Sequence, residues 1–592
     1  MSRMRNGAAG FALVESAPLR RFQFAWLPLA GLLSAAVADD TIINSPHDLS
    51  TFGPGPLRAV DESRVCIFCH APHNTSPAAP LWNRHNPTAY YRIYSSSTTD
   101  ARVDQPGGSS KMCLSCHDGS VALGLVLSRD PTDPIAVNQT FMPSGPSNLT
   151  NDLSDDHPIG FRYDRQLSNR DPQVRAPDLL SERVSLGPRG ELECVACHDA
   201  HNNELGDFLR ITRREGALCV TCHDMSGWRS GAHALSANAV PPAITRGELL
   251  PFVSLHDNAC LSCHKTHSAP QRERLLRERS PDLCLGCHDG LSARNILATS
   301  GRRSGHRPER FRDVHDAAEN PRTMRPHVEC VDCHNPHAAR GAPLALARGL
   351  SATQGPFVPP AMELVPGVTL AGAQVERARF EYEVCFRCHA DNPAPARNRI
   401  VRQRDAAGNV RRETLPTAAS AHPITSPSRP DSDSPSLLPE FRASRFVRCQ
   451  DCHDNPDARA LGGGGPNGPH GSRFDFLLVD RYDTSDFTIE STQSFALCYR
   501  CHDRNSILND DSFPLHRLHV VTGRSPCSAC HAPHGVSGSR ANHDHLINFD
   551  LSIVRGEQLF VDTGRFAGAC TLTCHGVRHV NFVYGGAAGA GR

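Results

Sequence analysis

The sequence has little of three things that folded proteins commonly use: lysine, aromatic residues and net charge. Only Lys111 and Lys265 are lysines, aromatic residues make up 6% of the chain and all apolar residues 39%. A chain of 592 residues with so few apolar side chains is poorly equipped to build several conventional hydrophobic cores. The 62 basic residues balance 62 acidic ones, so no overall field attracts nucleic acid or an anionic membrane.

Long apolar runs are also missing, except near the N-terminus. There, Arg20 and Arg21 precede an apolar run from Phe22 to Val37, and small residues 36–38 precede Asp39. This is the pattern of a secretory signal peptide, and the run is too short to span a bilayer comfortably. We therefore expect residues 1–38 to be removed on export. The mature chain is expected to lack a membrane segment and to reside in the periplasm, at the outer surface or outside the cell.

What the sequence has in abundance is cysteine followed by histidine. Its 24 cysteines form twelve pairs, and each second cysteine is followed directly by a histidine. We interpret these as Cys-x-x-Cys-His motifs, in which both thiols add to one porphyrin and the histidine binds its iron. A disulfide framework or zinc array would not need a histidine after every second cysteine. We therefore predict twelve covalent c-type haems, each with its iron.

The motifs are numbered 1 to 12 in chain order, and the haem expected on each takes the same number. Their cysteines are Cys66 and Cys69, Cys113 and Cys116, Cys194 and Cys197, Cys219 and Cys222, Cys260 and Cys263, Cys284 and Cys287, Cys330 and Cys333, Cys385 and Cys388, Cys449 and Cys452, Cys498 and Cys501, Cys527 and Cys530, and Cys570 and Cys574. The predicted proximal ligands are His70, His117, His198, His223, His264, His288, His334, His389, His453, His502, His531 and His575.

The remaining 20 of the 32 histidines outnumber the irons, so each iron could have a second, distal histidine. An iron held by two imidazoles has no open position for substrate. Odd motifs are followed after three residues by a further histidine, namely His73, His201, His267, His337 and His534; after motif 9 the displaced His470 is expected to replace it. We expect these side chains to reach a neighbouring haem. The upstream candidates are His47, His157, His233, His306, His422 and His519, with His256, His315, His327 and His516 as competitors.

The additional histidine follows odd motifs and not even ones, and this alternation predicts six two-haem units in an elongated array. The fold class is expected to be mostly loop, with haem cores, short α-helices that carry the motifs and few strands, because proline and glycine are frequent. The predicted units are residues 39–130, 151–230, 231–300, 301–400, 415–508 and 509–592.

The units resemble the doubled Cys-x-x-Cys-His multihaem cytochromes, a group that overlaps the cytochrome c3-like proteins. The similarity lies in the motifs and in short strings at residues 45–50, 79–84, 157–160, 327–330 and 570–576. The resemblance implies electron transfer in the periplasm or outside the cell, as in metal-respiring bacteria. The implied partners are other redox proteins or extracellular acceptors, and some relatives assemble into filaments.

An alternative is a multihaem oxidoreductase that acts on nitrogen or sulfur oxyanions at one open iron. Such enzymes sometimes use lysine in a Cys-x-x-Cys-Lys motif, which this sequence lacks. With distal histidines in surplus, we expect no catalytic residues and an electron-transfer protein.

Overall fold

The computed structural model describes residues 42–585 apart from 77–78, 80, 311–318, 321–322, 342–354, 392–399, 405–407, 429–433 and 443–445. The expected signal peptide and His315 lie outside the described residues. As predicted, the described chain is mostly loop with short helices. None of its helices is long and apolar enough to cross a membrane.

The α-helices are short because proline and glycine recur throughout the chain. The longest are α1 (Gly108–His117) and α9 (Glu381–His389), which carry motifs 2 and 8. The others are α2 (Arg165–Arg170), α3 (Ala217–Val220), α4 (Pro242–Thr245), α5 (Leu255–Asn258), α6 (Ser280–Leu285), α7 (Leu297–Ser300), α8 (Cys330–Cys333), α10 (Val410–Glu413), α11 (Pro439–Arg442), α12 (Cys449–Cys452), α13 (Ala496–Tyr499) and α14 (Arg504–Leu508).

Single tight turns complete the helical structure. The 3-10 turns are Val65–Phe68, Pro177–Leu179, Cys194–Ala196, Arg214–Gly216, Trp228–Ser230, Ala259–Ser262, Glu273–Leu275, Pro308–Arg310, Pro360–Met362, Arg459–Leu461, Asp475–Leu477, Cys527–Ala529, Arg540–Asn542 and Asp544–Leu546, and Leu518–Thr522 is a π-turn. Motifs 1, 3, 5 and 11 lie on such 3-10 turns.

Most strands are two-residue pairings. They are β1 (Phe161–Arg162), β2 (Glu191–Leu192), β3 (Ser304–Gly305), β4 (Gly367–Val368), β5 (Gln374–Val375), β6 (Ser420–Ala421), β7 (Gly471–Ser472) and β8 (Gly535–Val536). The pairs are antiparallel: β1 with β2, β3 with β7, β4 with β5 and β6 with β8.

The C-terminus differs, because it forms a three-stranded antiparallel sheet. Strands β9 (Val554–Gly564), β10 (Ala567–Cys574) and β11 (Val577–Tyr584) pair in the order β11-β10-β9. Motif 12 lies on β10, so the prediction that short helices carry every motif is wrong at this position. The turn at His575-Gly576, where both residues have positive φ (50° and 78°), is of the kind that closes a two-residue hairpin.

Hydrophobic cores in the described part of the chain are small and scattered, as the composition predicts. A cluster that includes Phe549, Phe560 and Leu572 forms the apolar packing of the C-terminal sheet. A second cluster gathers Phe161, Tyr163 and Leu192 around β1 and β2. No cluster contains more than six buried residues, so ordinary apolar packing holds together only local pieces of this fold.

Contacts between successive units instead involve the backbone around the predicted distal histidines. Strand β3, just before His306, pairs with β7, just after His470. Strand β6, just before His422, pairs with β8, just after His534. Likewise, His157 donates its backbone N–H to Thr266, the neighbour of His267, at 2.8 Å. His306, His422 and His157 are thereby placed beside the histidine that follows the next odd motif.

Candidate haem-binding sites

In motifs 1–11, one helical turn places the histidine near its two cysteines. In motif 3, for example, the backbone N–H of His198 donates to the carbonyl of Cys194 at 3.0 Å. The same bond occurs at 2.8–3.0 Å in motifs 1, 4, 5, 6, 7, 9, 10 and 11, while motifs 2 and 8 end α1 and α9. This local geometry holds both thiols and the imidazole near one another, as attachment to a single porphyrin requires.

Hydrogen bonds then orient the imidazole rings. Six proximal histidines have Nδ1 within 2.7–3.0 Å of a backbone carbonyl oxygen; they are His117, His198, His264, His334, His453 and His531. Histidines that bind metals usually donate one ring N–H in this way, which fixes the tautomer and leaves the other nitrogen for the metal. In these six rings that nitrogen is Nε2.

A second imidazole faces the proximal histidine of each odd motif. The ring-centroid distances are 6.1 Å for His70 and His201, 6.3 Å for His198 and His267, 6.3 Å for His264 and His337, 5.9 Å for His334 and His470, 6.0 Å for His453 and His534, and 6.5 Å for His531 and His516. In the first five pairs, the second histidine comes from the loop after the next odd motif. The structure therefore brings together histidines of adjoining units.

In motifs 2, 4, 6 and 8, the predicted proximal histidine faces the upstream histidine of its own predicted unit. The distances are 6.1 Å for His117 and His47, 6.2 Å for His223 and His157, 6.4 Å for His288 and His233, and 6.2 Å for His389 and His306. His502 lies near His422. Burial of His502 and, to a smaller extent, the charge of His422 lower the pKa of His502 to about 4.

These pairs fit an iron between the two rings. A ligating nitrogen lies about 2 Å from a transition metal and the ring centre roughly 1 Å beyond it, so two rings on one metal have centroids about 6 Å apart. Burial, with the charges of neighbouring histidines, lowers the pKa of His157, His389 and His453 to about 4. These imidazoles are therefore neutral at physiological pH, which is the form that binds metal.

The thiols of successive motifs also lie beside one another, in chain order. Within a unit, the second cysteines are neighbours, as with Cys69 and Cys116 or Cys263 and Cys287. The other units repeat this with Cys197 and Cys222, Cys333 and Cys388, Cys452 and Cys501, and Cys530 with Cys570 and Cys574.

Between predicted units, the first cysteines influence each other, because in each pair one thiol raises the pKa of the other. The pairs are Cys113 and Cys194, Cys219 and Cys260, Cys284 and Cys330, Cys385 and Cys449, and Cys498 and Cys527. Together, these interactions between thiols link motifs 1 to 12 in chain order. Porphyrins attached to these sulfurs would have their edges close together along the whole chain.

Comparison with known sequence families supports this assignment. The family described as Doubled CXXCH motif matches residues 187–227 and 254–293, which contain motifs 3–6. The matched segments indicate a multihaem c-type cytochrome with covalently bound haem. No curated protein matches the chain. The two matched segments lie within the predicted units 151–230 and 231–300.

One sequence interpretation needs correction at motif 12. Three residues, 571–573, separate Cys570 from Cys574, so the motif is Cys-x-x-x-Cys-His. His575 occupies the hairpin turn, and its Nε2 lies 2.7 Å from Asp486 Oδ1. The expected upstream ligand His519 instead faces His579, with a centroid distance of 6.3 Å.

Other histidines do not face a proximal ring. His73 is exposed, and no ring or hydrogen-bond partner is found for it within the described chain. Two of the upstream competitors contact carboxylates through Nε2: His256 contacts Glu215, and His327 contacts Glu319. His516, which we had considered only as an upstream competitor, is paired with His531.

Sequence reasoning also missed a recurring arginine. Arg210 follows motif 3 and donates Nε–H to the carbonyl of Val195 at 2.7 Å. Arg277 follows motif 5 and donates to Leu261 at 2.6 Å. Both bonds connect the arginine to the helical turn that carries the cysteines. The signal in the sequence is the shared pattern of two apolar residues followed by arginine, in Phe208-Leu209-Arg210 and Leu275-Leu276-Arg277.

Proposed function

We propose that this protein is a dodecahaem c-type cytochrome that conducts electrons along mostly bis-histidine, low-spin haems in periplasmic or extracellular respiration. When bound, each haem supplies an iron that gains or loses a single electron. The observation that carries the proposal is the series of ten facing imidazole pairs from motif 1 to motif 11, with ring centroids 5.9–6.5 Å apart. We infer that the six two-haem units form one elongated array.

The protein's own residues hold this array in place. Paired thiols determine which porphyrin edges adjoin, and the paired imidazoles fill both axial positions of each iron. Histidines from adjoining units, such as His267 opposite His198, tie each unit to the next. Redox proteins or extracellular acceptors are the proposed partners, and nucleic acid is not among them.

The geometry favours this function over catalysis at an open iron. Lysine is the residue that would be expected to ligate an atypical haem, but Lys265 is paired with Glu248 at 3.2 Å. Lys111 lies within α1, two residues before Cys113, rather than after a cysteine pair. Ten of the twelve predicted proximal histidines already have a facing imidazole at 5.9–6.5 Å.

Assembly into filaments is a narrower part of the proposal, and it depends on His73. Each later histidine of this type reaches back to the preceding odd motif, and motif 1 is the first motif in the sequence. His73 is exposed and would be available to a haem of a second copy. Particle size by light scattering tests this: the wild type should form assemblies that His73→Ala does not form, whereas equal sizes would remove the filament from the proposal.

Mass spectrometry tests the cofactor content. Matured, exported protein should begin near Asp39 and carry twelve haems, and a smaller number would show that a motif is not used. In the same material, carbon monoxide should bind almost no haem, because low-spin bis-histidine iron has no open position. A substantial fraction that binds carbon monoxide would favour the enzyme alternative.

A double substitution tests whether the haems act as one line. Cys284→Ser with Cys287→Ser removes haem 6 from the middle, and Cys570→Ser with Cys574→Ser removes haem 12 from the end. Protein films between electrodes should lose most of their conductance with the first pair and little with the second. Mass spectrometry must first show eleven haems in each variant. Equal conductance in both variants would exclude a single line of transfer.

A further inference from the structure

Motif 12 differs from motifs 1–11 in its backbone, which is a β-strand and not a helical turn. Its cysteines lie on strand β10, where Cys570 is paired with Phe560 of β9 and Phe582 of β11. A strand advances about 3.3 Å per residue and a helix about 1.5 Å, so the motif is stretched compared with the helical turns of motifs 1–11. The histidine is therefore not brought back toward the first cysteine.

The ring of His575 is also engaged elsewhere. It stacks on Phe487 at a centroid distance of 4.5 Å, and its Nε2 lies 2.7 Å from Asp486 Oδ1. In the well-oriented proximal histidines, such as His198, the carbonyl bond uses Nδ1 and leaves Nε2 for a metal. His575 thus resembles His543, whose Nε2 accepts a hydrogen bond from Arg404 at 2.8 Å and which faces no proximal ring.

His579, four residues further on, lies where a ligand would be needed. It is directly opposite Leu572 in the pairing of β10 with β11. Opposed residues of antiparallel strands project from the same face of a sheet. Leu572, Cys570 and Cys574 all contact the same apolar cluster, so His579 shares the face of the two thiols.

His519 supplies the opposite ring. Its centroid is 6.3 Å from that of His579, within the range of the other ten pairs, and the two planes are 38° apart. Its Nδ1 lies 2.8 Å from the carbonyl oxygen of Leu515, so Nε2 is the nitrogen left for a metal, as in His198. Phe582 contacts His579 edge-on at 5.5 Å and offers an apolar surface beside the pair.

We propose that the haem attached to Cys570 and Cys574 has its iron held by His519 and His579, while His575 is a hairpin-turn residue that does not bind it. This inference rests on the proposed function, since it assumes that motif 12 carries haem. The attachment chemistry is unchanged: each thiol adds across a vinyl double bond, sulfur to one carbon and hydrogen to the other. The second cysteine and the iron ligand would then be separated by four residues instead of none.

Carbon monoxide titration of the matured full-length protein tests the assignment. His519→Ala and His579→Ala should each retain twelve haems by mass and gain carbon monoxide binding at about one twelfth of the haem. His545→Ala is the matched control, because it also lies near the sheet and its Nε2 is 3.7 Å from Asp562. The control should bind no more carbon monoxide than the wild type.

A second variant protects the test against loss of the haem. His579→Met keeps a residue able to bind iron and should give one haem with the spectrum of histidine–methionine ligation. A His579→Ala protein that remains inert to carbon monoxide, together with a His579→Met protein that lacks this spectrum, would overturn the assignment. If His201→Ala responds in the same assay, only this inference fails; if it does not, the proposed bis-histidine ligation fails as well.

Discussion

The imidazole of His201 lies against that of His70, with ring centroids 6.1 Å apart and planes only 16° from parallel. His201 belongs to the second unit and His70 to the first. We therefore expect His201→Ala to leave all twelve haems attached, since no thiol or proximal histidine is altered. Haem 1 should become high-spin and bind carbon monoxide at about one twelfth of the total haem, as measured by titration.

His85→Ala is a suitable control for that experiment. His85 is exposed and follows motif 1, but it faces no proximal ring. It should retain the wild-type spectrum. A His201→Ala protein that stays wholly low-spin would mean that another histidine holds haem 1.

The angle between facing imidazoles predicts two spectroscopic classes. The planes are 11–39° apart in the odd-motif pairs and 46–81° apart in the four measured even-motif pairs. Parallel and perpendicular imidazoles split the iron d orbitals differently. Electron paramagnetic resonance of the oxidised protein should therefore show two low-spin populations of similar size, and a single population would contradict this geometry.

Haem removal should abolish folding. The buried clusters of the described chain contain no more than six residues each, and a small apolar core contributes little net stability. Protein produced without haem attachment should give no cooperative transition in calorimetry. A distinct melting peak from haem-free protein would show that the polypeptide alone supplies the core.

Gly471 permits the close approach of β7 to the backbone of Thr299, near β3. A Cβ atom at this position would lie 1.9 Å from the carbonyl oxygen of Thr299, which is backbone and cannot move aside easily. Gly471→Ala should lower the free energy of unfolding by about 1–3 kcal/mol. It should also disturb His470 and His306, and hence haems 7 and 8.

Gly464, a few residues upstream of Gly471, provides the control. A Cβ atom there meets nothing within 4 Å, so Gly464→Ala should leave both stability and the haem spectrum unchanged. Denaturant unfolding monitored through haem absorbance measures both effects. Equal stability of the two variants would mean that the β3–β7 contact is unimportant.

Glu62 forms ion pairs with Arg64 and Arg129, and these pairs predict that the stability of the protein depends on pH. The hydrogen bonds from Arg64 lower the pKa of Glu62 from 4.5 to about 2, with a smaller effect from the charge of Arg129. Because the folded state has the lower pKa, the stabilisation is fully present above about pH 4.5 and is lost as the pH falls toward 2.

At neutral pH, Glu62→Gln should lower the free energy of unfolding by about 1–3 kcal/mol. The difference from the wild type should shrink below pH 4.5 in denaturant titrations. Asp61→Asn changes an exposed neighbouring carboxylate and should have little effect at either pH. A constant difference between wild type and Glu62→Gln across this range would exclude the ion pairs as its source.

The sequence predicts the local structure well, because a helical turn depends on residues that are close in the chain. The helical turns of motifs 1–11 and the loop-rich fold follow from the motif spacing and from the frequent proline and glycine. The roles of the thiols and proximal histidines stay predictions. Which ring faces which depends instead on backbone pairing between distant segments, such as β3 with β7. No short-range pattern records that pairing.

The C-terminal end was the least predictable region. One additional residue in motif 12 and a His-Gly turn favour a hairpin over a helical turn, although the sequence of cysteines and histidine looks almost unchanged. In the sequence, His516 is only an upstream competitor and His579 is not among the predicted ligands, but each faces another imidazole in the structure. The β-branched and aromatic residues of 577–584 were the available signal for the strand.

Because the histidine that faces each of motifs 1, 3, 5, 7 and 9 lies downstream, in the next predicted unit, a chain that is ended early at a predicted unit boundary would lack one ligand. A chain ended at residue 300 would keep motif 5 but lose His337, which faces His264. A chain ended at residue 230 would keep motif 3 but lose His267, which faces His198. Each shortened chain would therefore end in a haem with an exposed iron, and a truncated electron-transfer protein would become a binder of carbon monoxide or other small ligands at its new terminus.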